Sequence, residues 1–271
     1  MPEKPQVPGT WPVPSNVRID GRVCLVTGAN SGCGKHTARF LNLRGGKVYM
    51  FCRSVQRGQE AIEELVDKYH CDASRLIIIQ GDLCEFASVR KAAAEFSNLE
   101  DHLDILINNA GAMTIPKWTL TVDGYEIMWQ SNHLGHLLLT ELLLPLIKKS
   151  TYPGRIVMLS SEMQLYGDSV ENKVVTDEKK FGTYRTYSRT KLANAMTART
   201  IAEKLKGTDV IANSCHPGAV QTNLQRDSFL SSGPLSKIRN WFFIPEEDGG
   251  NQALYLALSP EVKNVTGQYF M

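Results

Sequence analysis

The sequence predicts an α/β protein with one domain, built on a mostly parallel seven-stranded sheet with helices on both faces. Two observations carry this prediction: short apolar runs recur at wide spacing, and amphipathic segments of helix length separate them. Strands that are apolar throughout are typical of a parallel sheet covered on both sides. Right-handed crossovers then give the doubly wound arrangement of a Rossmann fold. No repeat, linker or second series of strands indicates another domain.

The elements follow one another regularly along the chain. Strands are predicted, in order, at RVCLVTG, KVYMFC, RLIIIQGDL, LDILINNAG, GRIVMLSS, VIANSCHPG and GQYF. Helices are predicted between them at 34–44, 54–70, 86–98, 123–149, 187–206 and 246–258. Residues 1–19 contain five prolines and are expected to form an extended arm before a domain at 20–271. The connection 220–245 is expected to be a substrate loop, because connections of that length tend to be functional.

The composition and charge of the chain argue against several classes of protein. The net charge is +2 and the basic residues are scattered, so no basic face indicates a nucleic-acid partner. The most apolar stretch, 137–147, is too short to span a bilayer. No signal peptide is evident, so a cytoplasmic protein is expected, with association to an organelle surface left open. Six cysteines without CxxC spacing indicate buried thiols in a reducing compartment rather than disulfides or a metal site.

A glycine-rich loop follows the first predicted strand. Gly28, Gly32 and Gly34 have the spacing GxxxGxG between a buried strand and a helix. Missing side chains permit a tight turn and let the backbone approach a pyrophosphate, whose charge the helix N-terminus attracts. This context predicts a dinucleotide site. The other loop residues assigned to the site are Asn30, Ser31 and Cys33.

The end of the second strand indicates which dinucleotide binds. NAD-binding chains often carry a carboxylate there, which binds the ribose 2′-hydroxyl. This sequence has Cys52 followed by Arg53. A guanidinium can bind a 2′-phosphate through two hydrogen bonds, and no carboxylate repels that phosphate. The sequence therefore predicts NADP(H) in preference to NAD(H), the alternative being an ordinary surface arginine.

Polar residues follow the third and fourth strands, at the edge where doubly wound sheets bind ligands. Asp82 can accept a hydrogen bond from an adenine amino group, and Leu83 can flank the ring. The NNAG segment would let the chain pass close to the cofactor at Asn109, Ala110 and Gly111. The same tetrapeptide is also a favourable turn sequence.

A tyrosine and a lysine four residues apart indicate proton chemistry. Tyr187 and Lys191 share one face of the helix predicted at 187–206. An ammonium group stabilises a phenolate and would lower the tyrosine pKa from its usual value near 10. Ser161 can hydrogen-bond a substrate oxygen, and Asn132 can support a proton relay from the lysine to solvent. YxxxK also occurs on ordinary helix surfaces, so this assignment depends on the other motifs.

Taken in order, the motifs resemble those of the classical short-chain dehydrogenase/reductase family over residues 20–271. The matching segments are TGxxxGxG at 27–34, NNAG at 108–111 and YxxxK at 187–191. The resemblance implies a catalytic set consisting of Asn132, Ser161, Tyr187 and Lys191, with Ser161 and Tyr187 touching substrate and Tyr187 and Lys191 also touching cofactor. It further implies a segment, HPGAVQT, that flanks the nicotinamide through Pro217, Gly218, Val220 and Thr222. The second serine of the Ser160–Ser161 pair is the one that matches the family.

Within that family, the segments TGANSGxGK, CRS, SNHLGH, YSRTKLAN and HPG resemble the retinol-dehydrogenase-like branch, which includes the oxidoreductase domain of the WW-domain oxidoreductase. The branch implies NADP(H) and a lipophilic alcohol, aldehyde or ketone as substrate, such as a retinoid, a steroid or a xenobiotic carbonyl. A homo-oligomer is implied by the resemblance alone. The sequence departs from the branch at Cys33, where isoleucine is usual, and it contains no WW domain.

Other interpretations stay open at this point. A non-catalytic cofactor-binding or interaction protein on this fold would have no need of the whole catalytic set. An extended-type epimerase or dehydratase also uses YxxxK, but usually with GxxGxxG spacing and a longer substrate domain. His133 and His136 lack acidic or thiol neighbours in sequence, so no metal is predicted. The apolar residues of 220–245 fit a lipophilic substrate, and its KIRNWFFIP part could instead contact a membrane surface.

Overall fold

A parallel sheet forms the centre of the computed structural model, which describes residues 17–218 and 249–271. Its strands are β1 (Val23–Thr27), β2 (Lys47–Cys52), β3 (Leu76–Gln80), β4 (Ile105–Asn108), β5 (Arg155–Leu159), β6 (Ile211–Cys215) and β7 (Tyr269–Phe270). They lie in the order β3-β2-β1-β4-β5-β6-β7, and all neighbouring pairs are parallel. The strand order reverses between β1 and β4, which opens a crevice at their carboxyl ends. The predicted doubly wound fold is thereby confirmed.

Helices connect the strands across both faces of the sheet. They are α1 (Gly32–Leu43), α2 (Val55–Tyr69), α3 (Phe86–Leu99), α4 (Ile127–Trp129), α5 (Gly135–Ile147), α6 (Asn172–Val175), α7 (Thr183–Lys204) and α8 (Asn251–Leu258). The helix expected over 123–149 begins instead at Ile127, and a π-helical turn at Gln130–Leu134 interrupts it. Helix α7 begins four residues earlier than expected, at Thr183. The predicted loop 220–245 lies outside the described residues. The seven expected strands all form.

The central strands β1, β4, β5 and β6 are buried on both faces because their side chains alternate between two cores. Val26 of β1 packs in the cluster that contains residues of α1, α2 and α8. Leu25, its neighbour, packs in the cluster that contains residues of α3, α5 and α7. On β2, Met50 packs in the first cluster and Tyr49 packs in the second. This double burial explains why the strands read as continuous apolar runs.

Several broader expectations can be compared with the described residues. Ile19 is buried in the first of these clusters, so the packed domain reaches at least that residue, while 1–16 of the predicted arm lie outside the described part. None of the six cysteines forms a disulfide, and Cys84 alone among them is half-buried rather than buried. No helix in the described part of the chain has both the length and the apolar character to cross a bilayer.

The hydroxyl of Thr27 joins β1, β4 and α5 at the crevice. Its Oγ1 accepts hydrogen bonds from the backbone N–H groups of Asn109 and Ala110, each at 2.9 Å. The same oxygen lies 2.8 Å from His136 Nε2, and His136 Nδ1 lies 2.9 Å from the Asn132 carbonyl oxygen. A carbonyl only accepts, so Nδ1 carries the proton and Nε2 accepts the threonine proton. All hydrogen-bonding positions of the hydroxyl are thereby used.

Thr27→Val should destabilise the protein because it keeps the side-chain shape and removes the acceptor. Two backbone N–H groups would be left unpaired in the interior, and the free energy of unfolding should fall by about 2–4 kcal/mol. Urea unfolding at neutral pH measures this. Thr37→Val is the matched control, since Thr37 is buried in α1 and its Oγ1 has no hydrogen-bond partner among the residues that the structure describes. Equal losses in both variants would contradict the role given to Thr27.

Candidate active site

A cleft of about 1130 Å³ opens at the carboxyl ends of the strands. Loops after β1, β2, β3, β4, β5 and β6 line it, together with the first turns of α7. All the sequence-predicted site residues line this cleft except four. Gly34 and Asn132 lie behind its wall, and Val220 and Thr222 fall outside the described residues. The strand ends thus bring one predicted set together in one place.

The glycines of the first loop act in two different ways. Gly28 has a φ of +67°, which favours glycine, and a Cβ there would lie 3.1 Å from the Cβ of Ala110. Gly34 faces inward rather than into the cleft: a Cβ on it would overlap Asn109 Nδ2 and lie 2.5 Å from the Gly28 carbonyl oxygen. Asn109 Nδ2 in turn donates to the Thr27 carbonyl at 2.8 Å. Gly34 therefore lets α1 approach the loop after β4 and does not itself line the cleft.

Two arginines stand on the cleft wall at the end of β2. Arg53 is exposed there, and Arg57, one turn into α2, is exposed on the same wall. Ser54 caps this helix by accepting a hydrogen bond from the Arg57 N–H at 3.2 Å. A smaller cavity of about 470 Å³ adjoins Arg53 and is also lined by Lys91. Sequence analysis missed Arg57, although its position one turn after Arg53 was a usable signal.

Asp82 and Leu83 form the wall after β3. The Asp82 carboxylate accepts the Cys84 N–H at 2.9 Å, and the Asp82 N–H donates to Ser88 Oγ at 2.9 Å. Leu83 is buried, and its carbonyl oxygen would lie 2.5 Å from a Cβ placed on Gly135. The turn is thus fixed by its own hydrogen bonds and by close packing on α5.

The two serines after β5 have different environments. Ser161 forms a hydrogen bond with the Tyr187 hydroxyl, and its Oγ also accepts the Met163 N–H at 3.2 Å. Ser160 is buried and donates its hydroxyl proton to the Lys191 carbonyl at 2.7 Å. Ser161 therefore faces the tyrosine, whereas Ser160 ties β5 to α7.

Tyr187 and Lys191 are both buried on the face of α7 that meets the cleft. The Lys191 Nζ donates to the Leu159 carbonyl at 3.1 Å and lies 5.4 Å from the centre of the Tyr187 ring. Burial lowers the pKa of Lys191 to about 8. Burial also raises the pKa of Tyr187 to about 12, and the hydrogen bond from Ser161 acts in the opposite direction. The shift is upward, opposite to the lowering expected from Lys191, and desolvation of the phenol is its largest cause.

Asn132 lies in the π-helical turn and is fully buried. Its Oδ1 accepts the Ala112 N–H at 2.7 Å, and its Nδ2 donates to the Ala112 carbonyl at 2.8 Å. Its own carbonyl accepts from His136 Nδ1 and, at 3.0 Å, from Asn194 Nδ2. Asn132 thus clamps the loop after β4 from behind the cleft wall.

The two histidines of this helix are internal hydrogen-bonding groups. His133 Nδ1 lies 3.2 Å from Asn194 Oδ1, and His136 joins Thr27 to Asn132. Burial lowers their pKa values to about 4 and about 3, so both imidazoles are neutral at physiological pH. Within residues 17–218 and 249–271, no cluster of histidine, cysteine, aspartate or glutamate is arranged to hold a metal ion.

The opposite side of the cleft contains residues that the sequence analysis did not assign. They come from the loop after β4, the turn after β5 and the first turn of α7: Met113, Thr114, Ile115, Met163, Tyr166 and Tyr184. Tyr166 and Tyr184 are 73% and 55% exposed, which is unusual for large aromatic side chains. His216 also lines the cleft, and burial lowers its pKa. Each of these residues lies within a few positions of a motif named in the sequence analysis. That proximity was the one feature of the sequence that could have indicated them.

The comparisons with known proteins agree with this geometry. The profile of the short chain dehydrogenase family matches residues 22–232. Retinol dehydrogenase 14 of Mus musculus is 41% identical over 264 residues, covering 93% of this chain and 78% of the relative. Retinol dehydrogenase 12 of Mus musculus is 39% identical over 256 residues, covering 94% and 79%.

A solved structure shows the same fold. The RhlG/NADP active-site complex of Pseudomonas aeruginosa superposes with a TM-score of 0.75 at 23% identity and covers 94% of this chain and 96% of that chain. The family profile and the sequence relatives show that the chain belongs to the short-chain dehydrogenase family, within which it is similar to the retinol dehydrogenases.

Proposed function

We propose that this protein is an NADP(H)-dependent oxidoreductase that interconverts a lipophilic alcohol and its aldehyde or ketone by hydride transfer. The observation that carries the proposal is the meeting of a glycine loop, an arginine and a tyrosine–lysine–serine group in one cleft. The similarity to proteins named retinol dehydrogenases supports an oxidoreductase of alcohols, with a retinoid, a steroid or a xenobiotic carbonyl as the class of substrate.

The residues of the cleft fit a nicotinamide dinucleotide. Gly28 and Gly32 leave an open backbone surface at the N-terminus of α1, where an anionic pyrophosphate is favoured. Arg53 and Arg57 place two cations beside the end of β2, where they would hold a 2′-phosphate. Pro217 and Gly218 would border the nicotinamide end. When bound, the cofactor donates a hydride to a carbonyl carbon or accepts one from an alcohol.

Tyr187 is placed to exchange a proton with the substrate oxygen. Because burial raises its pKa to about 12, the phenol is protonated at neutral pH, which is the state that a carbonyl reduction requires of a general acid. Ser161, hydrogen-bonded to the same hydroxyl, would orient the substrate oxygen. The Lys191 ammonium lies close enough to offset the phenolate that remains after proton transfer. The reverse sequence of proton transfers serves alcohol oxidation.

The substrate side of the cleft supports a lipophilic ligand. Met113, Ile115 and Met163 supply apolar surface, and Tyr166 and Tyr184 stand exposed at the rim. Apolar and aromatic walls with few polar groups are typical of pockets for hydrophobic small molecules. We extend the proposal to a reducing compartment such as the cytoplasm, which suits six cysteines without disulfides, and to a homo-oligomer, which the family resemblance implies.

A second candidate function is a cofactor-binding regulatory protein without turnover. The full burial of Asn132 behind the cleft wall, outside the cleft lining, favours this candidate. Tight binding of NADPH by the wild-type protein, with no reduction of any member of a panel of aldehydes and ketones, would support this candidate over the enzyme.

Arg53→Ala should weaken NADPH binding selectively, because the guanidinium is proposed to contact the 2′-phosphate. The Kd for NADPH should rise about 10- to 100-fold, corresponding to one or two charge-assisted hydrogen bonds. The Kd for NADH should change by less than about 3-fold, since NADH lacks this phosphate. Fluorescence titration measures both. Arg90→Ala, an exposed arginine of α3 outside the cleft, is the control, and equal weakening of both cofactors by Arg53→Ala would refute the assignment.

Tyr187→Phe should separate binding from chemistry. The ring remains, so the Kd for NADPH should stay within about 3-fold, while kcat for carbonyl reduction should fall about 100- to 10,000-fold through loss of the proton donor. Tyr152→Phe, an exposed tyrosine outside the cleft, should leave kcat unchanged. Undiminished turnover by Tyr187→Phe would mean that another group supplies the proton.

Lys191→Met should abolish turnover and stabilise the cofactor-free protein. The folded pKa of about 8 is below the usual 10.5, so the unfolded chain binds the extra proton more readily and the buried ammonium destabilises the fold below pH 8. At pH 7 the variant should gain roughly 1–3 kcal/mol, allowing for its lost hydrogen bond to Leu159.

The gain should shrink as the pH rises from 8 towards 10.5, because the wild-type penalty disappears there. Urea unfolding of both proteins at pH 7 and pH 10 measures the difference. A variant less stable than wild type at both pH values would show that Lys191 stabilises the folded protein instead of destabilising it.

A further inference from the structure

Asn194 lies one helical turn beyond Lys191 on α7, with its side chain fully buried behind the cleft. Its Nδ2 donates to the Leu159 carbonyl at 3.1 Å and to the Asn132 carbonyl at 3.0 Å. The Lys191 Nζ donates to the same Leu159 carbonyl at 3.1 Å. An amide nitrogen carries two hydrogens, so both are used. One side chain thereby connects the carbonyl that holds the lysine with the carbonyl of the π-helical turn.

The orientation of the Asn194 amide is set by His133. Asn194 Oδ1 is an acceptor and lies 3.2 Å from His133 Nδ1, so that nitrogen carries the imidazole proton. The ring also packs against Trp129, with the ring centres 4.9 Å apart. A reversed amide would place its oxygen against two carbonyl oxygens. The histidine donor therefore keeps the nitrogen facing the backbone of the site.

We propose that Asn194, oriented by His133, is a positioning residue that holds the Lys191 ammonium and the Asn132 segment in a fixed relation. The proposal rests on the function proposed above, because the ammonium must remain near Tyr187 to offset its phenolate. Without the amide, Lys191 is the one remaining side-chain donor to the Leu159 carbonyl. The Asn132 carbonyl also loses one of its two side-chain donors. The ammonium can then take other positions, and small misplacements of a reacting group are costly to rate.

Several other titratable groups face the ammonium from neighbouring elements and must stay constant in any test. They are Tyr187 on the same helix, His136 on α5, Cys215 at the end of β6, and His216 after it. Substitution of Asn194 changes none of them directly. A changed pKa of Lys191 in such a variant is therefore attributable to the substitution at position 194.

The first test compares Asn194→Leu with Asn213→Leu. Asn213 is a buried asparagine of β6 whose side chain donates to the Val265 carbonyl at 2.7 Å and accepts the Gln268 N–H at 2.9 Å, away from the cleft. Asn194→Leu should lower kcat for carbonyl reduction about 10- to 100-fold while KM and the Kd for NADPH stay within about 3-fold. Asn213→Leu should lose comparable stability with kcat unchanged.

The second test needs no turnover. The Asn194 Nδ2 and Lys191 Nζ cannot be farther apart than twice 3.1 Å, since they share one acceptor. A carboxylate in Asn194→Asp therefore lies beside the ammonium and should raise the pKa of Lys191. This pKa is read from the side-chain resonances of isotope-labelled lysine in the cofactor-free protein, with Lys191→Met giving the assignment. An unchanged pKa would overturn the proposal.

A double-mutant cycle tests the role of the histidine. His133→Phe keeps a packed ring and removes the donor, and it should lower kcat in the same direction as Asn194→Leu. The two effects should not add, because both remove one positioning unit. Additive effects, or a fall in kcat matched by equal loss of cofactor binding, would overturn the proposal. Should Asn194→Leu fail to fold, His133→Phe and the lysine pKa decide the outcome.

These outcomes separate the positioning role from the function itself. If the wild-type protein binds NADPH and reduces no carbonyl, the proposed enzyme is refuted, whereas the pKa of Lys191 in Asn194→Asp still reports whether the side chain at position 194 lies beside the ammonium. If the wild-type protein is active and neither kcat nor that pKa responds to Asn194, the positioning role alone is refuted.

Discussion

The Thr27 hydroxyl accepts two backbone N–H groups and donates to a neutral imidazole inside a dry interior. Hydrogen bonds in such a medium are strong, and an unpaired group there is costly, so the arrangement tolerates few alternatives. Through it, the end of β1 determines where the chain turns after β4, and His136 transmits that constraint to Asn132. The cofactor side and the tyrosine side of the cleft are therefore parts of one hydrogen-bonded structure.

Burial has reversed the usual acidity order of the two groups at the centre of the cleft. Tyrosine normally loses its proton slightly before lysine, but here the pKa of Tyr187 is about 12 and that of Lys191 is about 8. In the cofactor-free protein the lysine is the first of the pair to become neutral as the pH rises. A phenolate at this position thus requires further stabilisation, which charge arriving with a ligand can provide.

Local patterns in the sequence were enough to predict the strands, the glycine loop and the position of Arg53, because strand ends in a parallel sheet must converge. The catalytic assignment of Ser161, Tyr187 and Lys191 depended on the order of the motifs and on the family resemblance. Local patterns could not predict what depends on contacts distant along the chain. The inward role of Gly34 follows from Asn109, and the burial that shifts Tyr187 follows from packing. Likewise, no periodicity marks Tyr166, since it ends a 3₁₀ helix of only five residues.

Because Gln130–Leu134 forms a π-helical turn, the loss of a single residue there would change the direction in which the side chains of this segment point. Each residue of an α-helix advances the side-chain direction by about 100°. Removing one residue between Asn132 and Gly135 would restore a regular helix and rotate Asn132 by that angle relative to α5. The Asn132 side chain would then point away from the loop after β4 while the apolar face of α5 stayed in the core. A homologue one residue shorter at this place would keep the packing of α5 and lose this clamp.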